Sequence, residues 1–556
     1  MNIKFSNKIA FIFSFLFVMH NSCLQATTNH HLVIVGSGIA AAVESLLAFY
    51  DSIKKEIALS ITIFEKNASI CESTATQIAP SLTPDEIVSV VPRGPALVEK
   101  SRILFNLPGG IRVDDVAGIN GSQSAEQFMQ QANKYSIDEL CHAQRTQDLL
   151  ALGKMSMDLW QYLYDTADIK LQEIFKASNF NPCRPTTGDV KILHDGYRID
   201  LIFNVPNALD KAIGMKSDYE QLGYDQCAIL TPTQVVEIDP SLQEFCKDHS
   251  MVDDAGNCVW NNDTVALWRP GGCLDVSVFI PRLYAYLQQH MGDNFKIYCS
   301  HKVTGVEFGM NDAQKTIITG LNFENHAAFH PEVDANTEYL FCPGEAVGTL
   351  QSLGFAEPAY AGFAGVALKL TIDIPQGHEV DVAHFNHCME VHQQGIVLAW
   401  QARLRDNKIF IAVGGTKAFY ADQTPHKNQE FAIDRNILQL NMINNVLPEF
   451  VSWAFGRDTR GTILSEQDLY NLESMGIAQR WVGTRAVAYD GFPTLGYLYK
   501  NNEQVVNGRC TTHLGSGGVS FAPAVAKISR TVFDNVAEHD EFTERILQFS
   551  SSLRTA

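Results

Sequence analysis

A glycine-rich segment near the start of the chain has the residue types and spacing of a phosphate-binding turn. It reads Gly36-Ser37-Gly38-Ile39-Ala40-Ala41, and an acid, Glu65, follows further along the chain. A glycine at 36 permits a tight turn, a glycine at 38 lets the backbone approach a pyrophosphate, and Ala41 lets the next helix pack closely on its strand. Glu65 would accept hydrogen bonds from ribose hydroxyls. The pattern predicts a dinucleotide site that includes Gly36, Gly38, Ile39, Ala40, Ala41, Glu65 and Lys66.

A second candidate for chemistry is Arg485, near the other end of the chain in the segment Trp481-Val482-Gly483-Thr484-Arg485. A planar guanidinium can hold a carboxylate through two parallel hydrogen bonds, which suits the binding of an acidic substrate group. The alternative is a structural ion pair between Arg485 and an aspartate or glutamate. The sequence leaves both interpretations open.

Two apolar runs frame the glycine-rich turn and would position it. His31–Val35 is short, apolar and rich in β-branched residues, as expected of a buried parallel strand, and Leu59–Phe64 is a similar run that ends at Glu65. The residues after Ala41 have helical spacing of apolar and polar side chains. Strand, turn, helix and strand in this order predict a βαβ unit whose helix N-terminus faces the phosphates.

Three segments near the C-terminus carry a resemblance to a known family. They are Trp481–Arg485, the run Asp490-Gly491-Phe492-Pro493-Thr494-Leu495-Gly496, and the turn Thr512-His513-Leu514-Gly515-Ser516-Gly517-Gly518. This set resembles the D-amino-acid oxidase family of flavoenzymes, which includes glycine oxidase, sarcosine oxidase and D-amino-acid dehydrogenase. The stretch Ser73–Ser81 is most similar to the bacterial D-amino-acid dehydrogenases.

The resemblance implies that the dinucleotide is FAD. Within the chain, Lys302–Phe308 looks like the family's returning cofactor segment, and Tyr339–Gly344 looks like the strand that packs under the flavin. The cofactor contacts that the resemblance implies are Thr76, Gln77, Val303, Gly344, Gly483, Gly515, Gly517, Gly518 and Val519.

The same resemblance implies an activity. The expected reaction is oxidation of the Cα–N bond of a small amino acid, a D-amino acid in particular, or of an amine, by hydride transfer to the flavin, with Arg485 as the carboxylate clamp. A quinone or another carrier would accept the electrons. Two alternatives stay open, namely a flavin oxidase of another small amine or a hydroxy acid, and a non-catalytic flavoprotein that kept the fold.

The predicted fold class is α/β, with a discontinuous Rossmann-like FAD-binding domain and a mixed-sheet α+β substrate domain. We assign residues 30–90, 264–350 and 475–540 to the FAD-binding domain. Residues 91–263 and 351–474 would form the substrate or cap domain, and the helical pattern of 123–180 falls in its first part.

The first 26 residues have the layout of a secretory signal. Lys4 and Lys8 precede the apolar run Ile9–Met19, and Ala26 ends a short polar stretch at which cleavage is expected. The sequence therefore predicts export to the periplasm or the medium.

Charge and histidine spacing argue against two other kinds of site. The formal net charge is −20 and the chain has no basic stripe, so a nucleic-acid surface is not expected. His384, His387, Cys388 and His392 are close in sequence but lack the paired spacing of metal ligands, and no metal is predicted.

Overall fold

The computed structural model describes residues 29–70, 72, 81–82, 111–113, 127–180 and 197–554, less 129, 133, 136–138, 222, 225–226, 332–335, 345, 347, 379–386, 394–395, 421–428 and 534–539. The predicted signal segment 1–26, Thr76, Gln77 and His384 lie outside these residues, so export stays a prediction of the sequence. No helix in the described part of the chain is both long and apolar enough to cross a bilayer.

The described strands, in chain order, are β1 (Asn29–Val35), β2 (Ala58–Phe64), β3 (Ser81–Leu82), β4 (Ile111–Val113), β5 (Tyr197–Phe203), β6 (Ala228–Leu230), β7 (Ser250–Val252), β8 (Cys258–Trp260), β9 (Val265–Pro270), β10 (Gly272–Cys273), β11 (Phe295–Tyr298), β12 (Val303–Met310), β13 (Thr316–Phe323), β14 (Thr337–Phe341), β15 (Tyr360–Asp373), β16 (His387–Gln393), β17 (Ile396–Arg405), β18 (Lys408–Tyr420), β19 (Ala478–Ala488), β20 (Thr494–Lys500) and β21 (Glu503–Thr512).

The described α-helices are α1 (Ile39–Lys55), α2 (Glu139–Thr166), α3 (Ile169–Ala177), α4 (Ala208–Gln221), α5 (Pro232–Ile238), α6 (Gln243–Asp248), α7 (Val276–Met291), α8 (Thr349–Ser352), α9 (Gln429–Val446), α10 (Pro448–Phe455), α11 (Glu466–Ser474), α12 (Gly518–Phe533) and α13 (Glu541–Ser550).

A six-stranded sheet in the order β11-β2-β1-β14-β21-β20 forms the first domain, and only β20 runs antiparallel to its neighbour. The central strand β1 is buried on both faces, since Leu32, Val33 and Ile34 are fully inaccessible to solvent. Helices α1, α7 and α12 pack on one face, and the β12–β13 hairpin packs on the other. The predicted βαβ unit is therefore present as β1, α1 and β2.

A nine-stranded mixed sheet forms the second domain, in the order β19-β15-β18-β17-β16-β5-β9-β6 with β4 paired to β18. Its pairs are mostly antiparallel, but β16 is parallel to β5 and β4 is parallel to β18. One face carries an apolar cluster shared with helices α5, α6, α9, α10 and α11, of which Leu368, Ile411 and Val451 are fully buried members. The predicted fold class, a Rossmann-like sheet with a separate mixed sheet, is confirmed.

Three elements join a sheet or core other than the one implied by the predicted domain boundaries. Strands β9 and β19 were assigned to the FAD-binding segments 264–350 and 475–540, but both are hydrogen-bonded into the nine-stranded sheet. Helix α2 was assigned to the substrate segment 91–263, but Met157 and Trp160 pack with α1 and α12 in the core of the first domain. Local patterns identified these elements correctly, whereas their partners come from distant parts of the chain.

A buried ion cluster joins the six-stranded sheet to its helices. The Arg509 side chain on β21 is fully buried and donates to Glu338 on β14, to Glu44 on α1 and, at 2.8 Å, to Ser529 on α12. Burial alone would raise the pKa of Glu338, but the charge of Arg509 and a hydrogen bond from His30 lower it to about 2. The cluster therefore depends on an ionised Glu338.

We predict that Glu338→Gln lowers the free energy of unfolding at pH 7 by about 3–5 kcal/mol, because it leaves a buried guanidinium undercompensated. The native pKa of Glu338 lies below its ordinary value of 4.5, so its contribution is complete above that value and declines as the pH falls toward 2. The free energies of unfolding of the wild type and Glu338→Gln, measured in urea, should therefore differ less as the pH falls below 4.5.

The matched control is Glu324→Gln, which removes a half-exposed partner of Lys302. This exposed pair should contribute no more than about 1 kcal/mol. If the stability difference between the wild type and Glu338→Gln stays constant from pH 7 to pH 3, the cluster does not depend on an ionised Glu338.

Candidate functional site

A cavity of about 390 Å³ lies at the carboxyl edge of the six-stranded sheet. Strands β1, β2, β14 and β21 are parallel, so the residues that follow them meet at one edge, which is where ligands bind in open α/β sheets. The predicted site residues that line this cavity are Gly36, Gly38, Ile39, Ala40, Glu65, Lys66, Val303, Gly344, Arg485, Gly515, Gly518 and Val519.

The two glycines of the turn have different structural roles. Gly36 has a φ of 99°, and a Cβ there would lie 3.0 Å from the carbonyl carbon of Cys342. Only glycine tolerates both conditions. At Gly38, in contrast, an added Cβ would meet no protein atom within 4 Å, and the residue lines the cavity. The space in front of Gly38 is available to a ligand.

A hydrogen bond from α7 holds the backbone of the turn, which leads directly into α1. The hydroxyl of Tyr284, on α7, donates to the Ser37 carbonyl at 3.0 Å. Helix α1 then begins with Gly38 as its N-cap, without a side-chain cap and without an acid in its first turn. The first N–H groups of the helix therefore have no side-chain acceptor at the cap and suit an anion.

Glu65 is a buried carboxylate at the end of β2. Its Oε2 accepts from the Ser37 N–H at 3.0 Å and from the Ser37 hydroxyl at 2.7 Å, and its Oε1 accepts from the Asn67 N–H at 2.9 Å. An ionised carboxylate has about four acceptor positions, so three bonds leave capacity for a ligand hydroxyl. Glu65 thus fixes the glycine-rich turn and also faces the cavity.

His513 shapes the opposite wall of the cavity. It follows β21 with a φ of 55° and is almost fully buried. Its Nδ1 lies 2.8 Å from the Thr494 hydroxyl, its Nε2 lies 3.1 Å from a Glu357 oxygen, and its ring stacks on Tyr360. The hydrogen bond to Thr494 and the stacking on Tyr360 hold the imidazole in place, and with it the turn that leads into α12.

A second ion cluster supports this wall from behind. Asp490 is fully buried and accepts from Arg145 at 2.6 Å and from Arg554 at 3.1 Å. Arg554 also donates to the Thr494 hydroxyl that contacts His513. Arg145 and Arg554 could not be predicted, because neither belongs to a local motif and both reach Asp490 only through the fold.

Arg485 reaches the cavity from the other domain. It lies on β19, opposite Phe363 of β15, and its half-buried side chain lines the cavity together with Thr484 and Ala486. The nine-stranded sheet therefore brings a guanidinium to the edge of the six-stranded sheet. The predicted turn and the predicted guanidinium share one cavity although about 450 residues separate them in sequence.

Three predicted contacts lie elsewhere in the described structure. Ala41 is fully buried in the core between α1 and its sheet, Gly517 is buried and does not line the cavity, and Gly483 is covered by the Trp481 indole. Ala41 therefore packs closely in this core and Gly483 packs under the indole, and the cofactor contacts assigned to them stay predictions. Thr76 and Gln77 lie outside the described residues.

Two further groups that could do chemistry, Cys342 and His392, have structural explanations. Burial raises the pKa of the Cys342 thiol, so this cavity-lining cysteine stays protonated and is a poor nucleophile. His392 contacts Lys211 at 3.2 Å and Asp200 at 4.0 Å. Among the residues described, no group of three or more histidine, cysteine or acidic side chains could hold a metal ion.

We predict opposite phenotypes for two substitutions in the turn. Gly38→Val should leave thermal unfolding nearly unchanged but abolish binding of the predicted FAD, because the side chain would fill the space that faces the cavity. Gly36→Ala should destabilise the fold itself, by at least about 1–3 kcal/mol for the backbone strain alone. Differential scanning fluorimetry and quenching of flavin fluorescence measure the two effects, and a Gly38→Val protein with full flavin content would contradict the assignment.

No family model and no curated protein matches this sequence. Solved structures do match its fold. Glycine oxidase from Bacillus cereus superposes with a TM-score of 0.50 at 11% identity, covering 92% of this chain and 99% of that chain. Fructosyl peptide oxidase from E. terrenum gives a TM-score of 0.52 at 11% identity, covering 96% of this chain and 94% of that chain.

Fructosyl amine:oxygen oxidoreductase from Aspergillus fumigatus gives a TM-score of 0.51 at 8% identity, covering 95% of this chain and 90% of that chain. The likeness extends over both sheets, since nearly the whole of each chain is aligned. The chain therefore has the fold of these oxidases.

Proposed function

We propose that this chain is a flavoprotein that binds FAD at the carboxyl edge of the six-stranded sheet and oxidises the Cα–N bond of a small amino acid or amine by hydride transfer. The observation that carries the proposal is the shared cavity, in which the Gly36–Gly38 turn and Glu65 face Arg485. One side suits a dinucleotide and the other suits a carboxylate.

The residues of the first domain fit FAD. The open space in front of Gly38 and the N-terminus of α1 suit the pyrophosphate, and the remaining acceptor capacity of Glu65 suits a ribose hydroxyl. The Gly515–Gly517 turn and the start of α12 at Gly518 direct backbone N–H groups and the positive end of a helix dipole toward the cavity. Glycine oxidase and the fructosyl amine enzymes are oxidases with this fold, which supports an oxidoreductase role here.

The second domain supplies the means to orient a substrate. Bound FAD would supply the hydride acceptor, and hydride transfer requires that the Cα–H be held close to it. Arg485 is half-buried, so a carboxylate bound there is partly shielded from water and its ion pair is strengthened. A carboxylate fixed at one end of a small substrate leaves its amine and Cα facing the first domain.

The substrate class is proposed more narrowly as amino acids, D-amino acids in particular, with a quinone or another carrier as the electron acceptor. Support comes from the likeness of Ser73–Ser81 to bacterial D-amino-acid dehydrogenases. A fold shared with glycine oxidase agrees with a small amino-acid substrate. An amine without a carboxylate is the alternative if Arg485 does not contact substrate.

We predict that Arg485→Ala lowers kcat/KM for amino acids about a hundred- to a thousandfold, since losing a shielded charge pair costs about 3–5 kcal/mol. Arg485→Lys should restore only part of the loss, because an ammonium lacks the planar fork. Flavin content should stay normal. Steady-state kinetics with matched absorbance spectra measure both quantities.

The matched control is Arg480→Ala on the same strand. Arg480 points to the opposite face of the sheet and is paired with Glu473 at 2.7 and 2.9 Å, so its loss should leave amino-acid kinetics unchanged. If Arg485→Ala retains full activity on an amine that lacks a carboxylate and the wild type ignores amino acids, the amino-acid proposal fails.

A further inference from the structure

Two glycines lie directly opposite each other on the strands that carry Arg485. In the antiparallel pair of β15 and β19, Gly365 faces Gly483, Phe363 faces Arg485, and Ala367 faces Trp481. Alternate residues of a strand share a face, and directly opposed residues share it too. Trp481, Gly483, Arg485 and Gly365 therefore belong to one face of the sheet.

Gly365 provides the space that the Arg485 head group occupies. A Cβ on Gly365 would lie 2.7 Å from both Cζ and Nη2 of Arg485. Carbon atoms in contact are ordinarily about 3.5–4.0 Å apart, so any side chain at 365 would overlap the guanidinium. The guanidinium lies over the backbone of β15 because that residue is glycine.

Gly483 provides the same kind of space for Trp481. A Cβ on Gly483 would lie 2.5 Å from the Cζ2 atom of the Trp481 indole. The six-membered ring of the indole thus covers Gly483, which lies between Trp481 and Arg485 along this face. This covering also explains why Gly483 does not line the cavity.

The indole and the guanidinium are consequently neighbours. Each group fills the position that a side chain of one glycine would take, and the Cβ positions of a directly opposed pair are about 4.5–5.5 Å apart. The indole therefore bounds one side of the space that the guanidinium occupies. The paired glycines therefore form a slot, defined by Gly365 and Gly483, that two large side chains fill side by side.

We infer that this slot positions the carboxylate clamp: Gly365 lets the Arg485 guanidinium lie on the sheet, and the Trp481 indole limits the space into which it can turn. The inference rests on the proposed function of Arg485. A guanidinium held in one orientation presents its fork in one direction, which favours bidentate binding of a free carboxylate over a monodentate contact. Gly365 and Trp481 are thus positioning residues for substrates that carry a free carboxylate.

The decisive variant is Gly365→Ala. The atoms that the new methyl group would displace are the far end of a flexible side chain, so the fold should tolerate the change while the guanidinium moves. In FAD-loaded protein we expect normal flavin content and thermal stability. The dissociation constant of benzoate, followed by its perturbation of the flavin absorbance, should rise at least tenfold. KM for an amino acid should rise by more than kcat falls.

A double-mutant cycle separates positioning from a general packing effect. If Gly365 acts through Arg485, adding Gly365→Ala to Arg485→Ala should cause no further loss of benzoate affinity. Gly305→Ala on β12 is the glycine control, because its Cβ would make only ordinary contact with Asn322 at 3.5 Å. It should leave benzoate affinity unchanged.

The outcomes distinguish this inference from the proposed function. If Arg485→Ala leaves benzoate affinity unchanged, the clamp itself is absent and the proposed function fails. If Arg485→Ala weakens benzoate binding but Gly365→Ala does not, the slot is overturned and the clamp stands. Should Gly365→Ala fail to fold, Trp481→Leu replaces it in the same cycle, and unchanged benzoate affinity in that variant overturns the inference.

Discussion

The close approach of Gly36 to the carbonyl of Cys342 is the constraint on which the carboxyl edge of the six-stranded sheet depends. Strands β1 and β14 are adjacent and parallel, and the chain must turn sharply at the end of β1 to enter α1. A side chain at 36 would collide with the backbone of the neighbouring strand, and the φ of 99° independently requires glycine. This turn places the N-terminus of α1, Gly38 and Glu65 around one space.

The second constraint is that two separate sheets must meet at that space. Asp275 caps the N-terminus of α7 in the first domain and is paired with Arg403 of β17 in the second. Burial alone would raise the pKa of Asp275, but the Arg403 guanidinium and the Ser277 hydroxyl hold it below its ordinary value. An ionised contact of this kind fixes the registration between the domains, and with it the position of Arg485 relative to the glycine-rich turn.

Local patterns predicted much of this arrangement. The apolar run His31–Val35 identified β1, and the run that ends at Glu65 identified β2. Such patterns can be recognised because apolar runs, helical spacing and turn glycines are properties of neighbouring residues. The pairing of β9 and β19 with the nine-stranded sheet, in contrast, depends on residues far away in sequence. No local pattern distinguishes a strand of one sheet from a strand of another.

The same limit applies within the site. The glycine-rich pattern predicted that Gly36 and Gly38 belong to the site. Only their surroundings show that Gly36 avoids a clash with the backbone of Cys342 and that Gly38 faces open space. Gly483 belongs to a recognisable motif, yet its role depends on the orientation of Trp481. The support that Arg554 gives to Thr494, and through it to His513, has no counterpart in the sequence pattern, since Arg554 and Thr494 lie 60 residues apart.

The central claim is that one cavity holds a flavin beside a carboxylate clamp. Its most direct test is anaerobic titration of the purified, FAD-loaded protein with a panel of D-amino acids, L-amino acids and amines, while the absorbance of the oxidised flavin is recorded. At least one small amino acid should bleach the flavin, and the matching amine without a carboxylate should react more slowly. A protein that binds no FAD, or a bound flavin that no member of the panel reduces, would contradict it.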